Sequence, residues 1–273
     1  MTKKLLSLPF FLFILFSSFS FAQGDLMIMP KRLVFDGSQR SQEINLANTG
    51  RDTAVYAISF VNYEMTEDGS FKEIRDPQEG QRFATDFLRY FPRRVTLAPN
   101  EAQVIRVQLT RTGNLEDGEY RSHMYFRAVE EQTALGTEEE ADSEGISINI
   151  KTVFGISIPV IIRHGKSTTK IELTDIQLDS SGSQPILSLA INRSGNMSVY
   201  GDLKAEYISP EGKEIEVGLV KGISVYTPNS KRNFSFGLSF PEEVDLSGGK
   251  LRVTYTSDKG EVLAIAEKNL LRE

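Results

Sequence analysis

The sequence predicts an all-β protein built from two β-sandwich domains, and three observations support this prediction. Apolar and polar residues alternate over short runs, as in strands with one buried face, and almost no stretch has the period of a helix. Turn residues such as Asn48-Thr49-Gly50 separate these runs. The patterns of residues 44–56 and 95–109 recur in the same order in residues 187–200 and 225–240, which indicates a duplicated unit. With 273 residues, 40% of them apolar, the chain is long enough for two cores.

The N-terminus has the pattern of a signal peptide. Two lysines precede an apolar run over residues 5–21, and Ser20-Phe21-Ala22 offers small residues for cleavage. We therefore expect residues 1–22 to be removed and the mature chain to be exported to a soluble compartment beyond the inner membrane. An uncleaved membrane anchor is the alternative, but the run is short and is interrupted by Pro9 and several serines. No later segment has 18 consecutive apolar residues, so we expect no membrane insertion of the mature chain.

The first half of the chain contains six predicted strands before the acidic segment described below. They cover residues 26–35, 42–47, 54–60, 88–97, 104–109 and 120–128. Pro30 removes a backbone donor from the first of them, so we expect that strand at a sheet edge or at a bulge. Residues 76–86 are polar and are expected to form a loop or a short helical turn. In the second half, residues 251–255 and 263–270 supply the last strands, so that each half offers seven or eight strands.

Tyr120 follows a corner formed by Glu116-Asp117-Gly118. A tyrosine in this position resembles the tyrosine corner of immunoglobulin-like sandwiches, and Ser122 stands where antibody domains have their second cysteine. The pattern favours a sandwich of immunoglobulin type for the first half.

Residues 146–163 form the most unusual stretch of the sequence. Isoleucine, valine and phenylalanine occupy every second position, and only Thr152 breaks the row. The pattern predicts one strand of about 17 residues, roughly 55 Å long, where strands of about 5–6 residues are the norm. Such a strand either bridges two domains or offers a row of aliphatic side chains to something outside its own sheet; the alternative is an ordinary core strand that runs into a linker. The acidic run over residues 130–145 is predicted to be a solvated loop, and His164-Gly165-Lys166 ends the strand, giving expected domains of residues 23–165 and 166–273.

Charge and composition exclude several functions. Residues 1–22 carry two lysines and no acid, so the mature chain has 29 basic and 37 acidic residues and a net charge of −8, which argues against nucleic acid as a partner. There is no cysteine, and the two histidines, His123 and His164, have no acid at metal-ligand spacing. No nucleophile motif or glycine-rich phosphate loop is present. We expect no metal, no cofactor and no enzymatic activity.

Several motifs of the first half together carry a resemblance to a known family. They are the run from Pro30 to Ser38, the Asn48–Gly50 turn, the segments 88–99, 103–106 and 118–122, and the final Ile158-Pro159-Val160-Ile161-Ile162-Arg163. In this order they resemble the PapD-like periplasmic chaperones of pilus assembly. The resemblance covers most of residues 25–165, and the second half is similar only loosely.

This resemblance implies two immunoglobulin-like sandwiches in a boomerang arrangement, in the periplasm, whose cleft receives a pilus or fimbrial subunit. In such chaperones the long last strand of the first domain is lent to a subunit that lacks a strand of its own, a case of β-strand addition. By position the donor side chains are Ile148, Ile150, Phe154 and Ile156, with Thr152 as a weak point in the row. The alternative for these residues is burial in the protein's own core. An outer-membrane usher is a possible further partner.

The family also binds the C-terminal carboxylate of the subunit with an arginine and a lysine. Arg32 matches the arginine, whose planar guanidinium suits a carboxylate, with an ordinary surface charge as the alternative for this residue; the lysine position falls on Pro159. Lys151, Arg93 or Arg163 are candidates to compensate. Arg163 also matches an arginine that pairs with acids at the domain joint in the family; the position of its acidic partner falls on Arg121 or close to Glu119.

Two other functions remain open from the sequence. An immunoglobulin-like envelope or surface module without chaperone activity would share the fold and the signal peptide, but would need neither the long aliphatic strand nor Arg32. A carbohydrate-binding sandwich would need exposed aromatic side chains, and the sequence has no tryptophan.

Overall fold

The computed structural model describes residues 26–129, 154–241 and 248–270, and these form strands joined by turns and two short 3₁₀ turns. The strands of the N-terminal domain are β1 (Leu26–Met29), β2 (Leu33–Phe35), β3 (Ser41–Asn48), β4 (Ala54–Val61), β5 (Tyr63–Met65), β6 (Phe71–Glu73), β7 (Leu88–Phe91), β8 (Arg94–Leu97), β9 (Ala102–Leu109), β10 (Gly118–Val129) and β11 (Gly155–His164). Those of the C-terminal domain are β12 (Lys170–Asp179), β13 (Ile186–Ser194), β14 (Val199–Ile208), β15 (Glu214–Val225), β16 (Lys231–Gly237), β17 (Lys250–Ser257) and β18 (Val262–Asn269). The 3₁₀ turns are Thr85–Phe87 and Thr112–Asn114.

The N-terminal domain is a sandwich of two sheets with the strand orders β1-β3-β9-β7 and β2-β11-β10-β4-β8. This arrangement is that of an immunoglobulin-like fold, in which the first, second and fifth main strands face the third, sixth and seventh. Its core is formed by the inward side chains of both sheets, among them Ile44, Leu46 and Phe126, which are fully buried. The Tyr120 hydroxyl accepts a hydrogen bond from the backbone N–H of Glu116 at 3.0 Å, so the predicted tyrosine corner is present.

The C-terminal domain repeats this plan with the sheets β12-β13-β16 and β15-β14-β17-β18. The pair β13–β16 corresponds to β3–β9, and the run β14-β17-β18 corresponds to β4-β10-β11, in agreement with the duplication read from the sequence. Its own core is centred on Leu187, Leu203 and Tyr255. The predicted all-β fold with two sandwiches is confirmed.

Two predicted strands are each two strands in the structure. Residues 26–35 divide at Pro30 into β1 and β2, and residues 88–97 divide at Pro92 into β7 and β8. In both cases the chain leaves one sheet and enters the other, because proline has no N–H to continue the ladder. The expectation of a sheet edge at Pro30 is correct, and that of one continuous strand is wrong.

The described part of the predicted long strand is β11, which begins at Gly155. It pairs along its whole length with β10, but with β2 only over Val160–Ile162, where the two strands are parallel. Ile158, Val160 and Ile162 lie in the domain's own core. Residues 146–153, which include Ile148, Ile150 and Thr152, lie outside the described residues, as does the acidic run over residues 130–145.

Candidate functional site

The two domains meet along a joint that the β5–β6 hairpin spans from the N-terminal side. Asn229 donates a hydrogen bond to the Met65 carbonyl at 2.6 Å, and the backbone N–H of Asn233 donates to the Glu67 carbonyl at 2.7 Å. Met65 also packs with Ile161 of β11 and Tyr226 of the C-terminal domain in a small buried cluster. The hairpin therefore fixes the C-terminal domain against the outer face of β11.

A buried carboxylate, that of Glu119, lies at the centre of the joint. Its side chain is fully buried and accepts hydrogen bonds from Arg163 Nε at 3.3 Å and from the backbone N–H of Ser198 at 3.0 Å, and also from Ser198 Oγ. Arg121 Nη1 lies 3.6 Å from it, while Arg121 Nη2 donates to the Thr227 carbonyl at 3.0 Å. Arg163 Nη2 completes the network by donating to the Ser198 carbonyl at 2.8 Å. One acid of the first domain thus binds two of its own arginines and a serine of the second domain.

Burial dominates the electrostatics of this network. It lowers the pKa of Arg121, because the charged guanidinium is taken out of water, and the Glu119 carboxylate opposes that shift. Arg193 has the same shift for the same reason, and its donors go to the carbonyls of Asn229, Gly195, Met197 and Pro228. The acidic partner that the sequence leaves open for Arg163 is Glu119, which is its cross-strand neighbour in the β10–β11 pair.

Arg32 directly precedes β2 and lies in the cleft between the domains. Its side chain is 15% exposed and stacks on the Tyr200 ring, with Cζ 4.1 Å from the ring centroid. Its ion-pair contact, Nη1 to Asp258, is long at 4.0 Å, and its Nε is buried without a hydrogen-bond partner. The guanidinium is held in place by stacking, and it keeps donors available for an anion.

The free edge of β11 leads to this guanidinium. In the described part of the chain no strand pairs with the edge of β11 over Gly155–Pro159 on the side away from β10. From Val160 onward that edge is occupied by β2, whose first residue, Leu33, is opposite Val160. A strand added along the free edge would therefore end against Arg32.

Aromatic side chains line a pocket next to Arg32, with a volume of about 500 Å³. Tyr63 and Phe71 come from the β5–β6 hairpin, His123 comes from β10, and Tyr226 directly follows β15. The rings contact one another, with centroid distances of 4.9 Å for Tyr63–His123 and 6.0 Å for Phe71–Tyr226. Pro159 of β11 completes this wall. We call this feature the aromatic pocket.

His123 at this pocket is neutral. Desolvation lowers its pKa to about 3, and the positive charge of Arg121 acts in the same direction. The residue is 4% exposed, and its Nδ1 has no hydrogen-bond partner. His123 therefore contributes to the aromatic pocket a ring nitrogen without a hydrogen-bond partner, and no charge.

A second cavity, of about 800 Å³, lies on the other side of Arg32 between the domains. Arg32 and Arg163 line it together with Lys170 and Lys259, and Asp258 and Glu261 lie in the same wall. Positive and negative side chains are mixed here, so this cavity favours no single charge in a ligand.

The remaining predicted site residues are only partly brought to this place. Phe154 is half-buried just before β11, and Ile156 is half-buried and packs against the N-terminal core. Pro159 lies in the wall of the aromatic pocket, where the family pattern has lysine. Of the candidate substitutes for that lysine, Arg163 lines the neighbouring cavity, Arg93 lies near the Tyr90 ring at 5.8 Å, and Lys151 lies outside the described residues.

Sequence reasoning missed most partners of Arg32, Arg121 and Arg163. Tyr200, Tyr226 and Ser198 belong to the C-terminal domain, and no local pattern shows which of its residues face the first domain. Glu119 could have been found, because it lies opposite Arg163 once β10 and β11 are aligned as a hairpin. Within the described ranges no cluster of three or more acidic or histidine side chains has the arrangement of a metal site. No helix in that part of the chain is long and apolar enough to cross a bilayer.

Comparison with known proteins gives structural likenesses only. No family model matches the sequence, and no curated protein matches it. Among solved structures, the chain is similar to the YadV chaperone, with 14% identity and a TM-score of 0.44 over 90% of this chain and 100% of the other. It is also similar to a chain in a chaperone–tip adhesin complex of CFA/I fimbriae biogenesis, with 13% identity and a TM-score of 0.46 over 92% and 100% of the two chains. It is similar as well to the E. coli chaperone DraB, with 13% identity and a TM-score of 0.42 over 90% of this chain and 96% of the other.

Proposed function

We propose that this protein is a periplasmic chaperone that binds an exported pilus or fimbrial subunit by donor-strand complementation, for assembly at the outer membrane. The observation that supports the proposal most is the free edge of β11 that ends at Arg32. The sequence resemblance of residues 25–165 to PapD-like chaperones agrees with it.

The free edge offers an incomplete subunit what it lacks. A sandwich without one strand exposes unpaired backbone groups and a groove of core side chains, and such an edge aggregates readily. Pairing along β11 satisfies the backbone groups, and alternating aliphatic side chains fill the groove. At about 1.5–3 kcal/mol for each buried aliphatic side chain, four insertions contribute roughly 6–12 kcal/mol before the costs of ordering.

The charge of Arg32 selects the direction of the bound strand. A strand parallel to β11 would bring its C-terminal carboxylate to the guanidinium, whereas an antiparallel strand would bring its N-terminus there, and a terminal amine would be repelled. A carboxylate can take the donors that the long contact to Asp258 leaves available. We therefore assign Arg32 as the anchor for the C-terminus of the subunit.

The four donor side chains, Ile148, Ile150, Phe154 and Ile156, which we call the donor row, provide the test of the proposed function. We expect the double variant Ile150→Ser, Phe154→Ser to lose capture of an exported subunit that lacks its last strand, measured by co-purification from the periplasm, because two of the inserted side chains are removed. The matched control is Val104→Ser with Phe91→Ser, two exposed apolar residues of the other sheet, which should leave capture unchanged.

Unchanged capture by the folded donor-row variant would contradict strand donation. The protein would then be better described as an immunoglobulin-like envelope or surface module.

A further inference from the structure

The aromatic pocket lies where a strand added to β11 would end. Ser157 and Pro159, on the free part of β11, line it together with Arg32. The last residue of such a strand would have its carboxylate at Arg32 and its side chain beside the rings of Tyr63 and Phe71. A carboxylate bound to Arg32 would thus leave the adjacent aromatic pocket free for another group of the same residue.

The lining determines what this pocket can hold. Five rings, the four named above and that of Tyr200, together with Pro159 make the wall mostly apolar, and Lys31 and Arg32 are the cations that line it. Its volume of about 500 Å³ is within the range of about 300–1,000 Å³ that small-ligand pockets have. Arg32 Nε and His123 Nδ1 are the two buried polar atoms at this pocket without a hydrogen-bond partner. A ligand that suits both the wall and the guanidinium is an apolar group that carries a carboxylate.

We propose that the aromatic pocket binds the side chain of the subunit's C-terminal residue, and that it selects an aromatic or large aliphatic residue with a free carboxylate. The inference rests on the proposed function, because it takes the added strand as the occupant. Pro159 then has a role of its own: where the family pattern has lysine, this chain has an apolar wall for the side chain next to the carboxylate, and Lys31 lines the pocket beside Arg32.

The rings are arranged to form such a receptor. Tyr226 is 5% exposed and is held by the Arg121 guanidinium, whose Cζ lies 4.1 Å from the ring centroid, so this wall is rigid. Phe71 is 49% exposed and lies on the hairpin at the mouth of the pocket. An exposed phenylalanine gains most from a ligand that covers it, since its apolar surface is then removed from water.

The test uses the full mature chain and labelled peptides of alternating valine and threonine that differ only at the last residue. Binding is measured by fluorescence anisotropy for peptides that end in Phe with a free acid, in Ser with a free acid, and in Phe amide. We expect the Phe acid to bind about tenfold or more tightly than either of the others. In Phe71→Ser the preference for Phe over Ser should fall close to one, while the preference for acid over amide remains.

Two further measurements keep the outcomes distinct. Phe91→Ser, which removes a 77% exposed phenylalanine of β7, is the matched control and should keep both preferences. Equal binding of the Phe-ended and Ser-ended acids, or an unchanged preference for Phe in Phe71→Ser, would overturn the inference about the pocket. The proposed function would still stand in that case, provided that the protein captures an incomplete subunit. If the protein prefers Phe over Ser and the acid over the amide but captures no incomplete subunit, the result would support the assignment of the pocket and contradict the proposed function.

Discussion

Arg32 shows how one residue combines two weak interactions into an anchor. Its stacking on Tyr200 fixes the guanidinium plane, and the long contact to an exposed aspartate leaves its charge available. We expect Arg32→Ala to weaken subunit binding about tenfold or more, because a charge-assisted hydrogen bond is lost, and Arg32→Lys to recover only part of it. Surface plasmon resonance with an immobilised subunit measures both. Arg106→Ala, at a 69% exposed arginine on the far sheet, is the control; an equal loss there would contradict the assignment.

Glu119 is the residue on which the joint depends most. Its removal leaves Arg121, whose side chain is 2% exposed, without its carboxylate. We expect Glu119→Ala to lower the free energy of unfolding by about 3–5 kcal/mol, measured by chemical denaturation, because an uncompensated buried charge is costly. The double variant Glu119→Leu, Arg121→Leu removes the carboxylate and the buried guanidinium together, leaves only the 30% exposed Arg163 without this partner, and should lose clearly less. A double variant as unstable as Glu119→Ala would show that packing, and not the unpaired charge, sets the cost.

At the scale of elements, alternation predicts the strands well and their breaks poorly. One face of β3 is buried, so the apolar period of two in Ile44 and Leu46 is visible in the sequence. The breaks at Pro30 and Pro92 also leave a trace, since the buried residues change parity across each proline: Leu26 and Ile28 are followed by Leu33 and Phe35. A change of phase at a proline is the signal that the chain has moved to the other sheet.

The β5–β6 hairpin carries the element-scale prediction. Gly69 at its tip has φ +85°, and a Cβ there would lie 2.3 Å from the Arg232 guanidinium of the C-terminal domain. We expect Gly69→Ala to lower the thermal stability, because the methyl group displaces the Arg232 guanidinium from its hydrogen bond to the Ser224 carbonyl, in addition to the cost of a positive φ of about 1 kcal/mol. Gly37→Ala is the control: its φ is +94° and no atom lies within 4 Å of a Cβ. Equal losses in thermal unfolding would mean that the contact between hairpin and arginine contributes nothing.

At the scale of the whole molecule, the joint is the part that the sequence does not reveal. Its hydrogen bonds connect residues far apart in the chain, for example Arg121 with Thr227 and Asn229 with Met65. Periodicity reports which face of a strand is buried, and carries no information on which of the two domains covers it. The domain cores could therefore be predicted from periodicity, and the contacts of the joint could not.

The joint also makes the stability of the molecule depend on pH through His123. The folded protein takes up a proton on this side chain only near its pKa of about 3, whereas the unfolded chain does so near the ordinary value of 6.5. The stability that depends on neutral His123 is therefore fully present well above pH 6.5. It falls as the pH drops from about 6.5 towards 3, by about 1.4 kcal/mol per pH unit. Between about pH 7.5 and pH 5 the loss from this one group is about 2 kcal/mol.

His123→Phe, which keeps a ring in the aromatic cluster but cannot titrate, should remove this loss. Other groups titrate equally in both proteins, so the difference in unfolding free energy between them across the pH range isolates His123. His164→Phe, at the exposed end of β11, is the matched control. A pH dependence that persists in full in His123→Phe would show that this imidazole takes up its proton equally readily in the folded and the unfolded protein, which would contradict its desolvation at the joint.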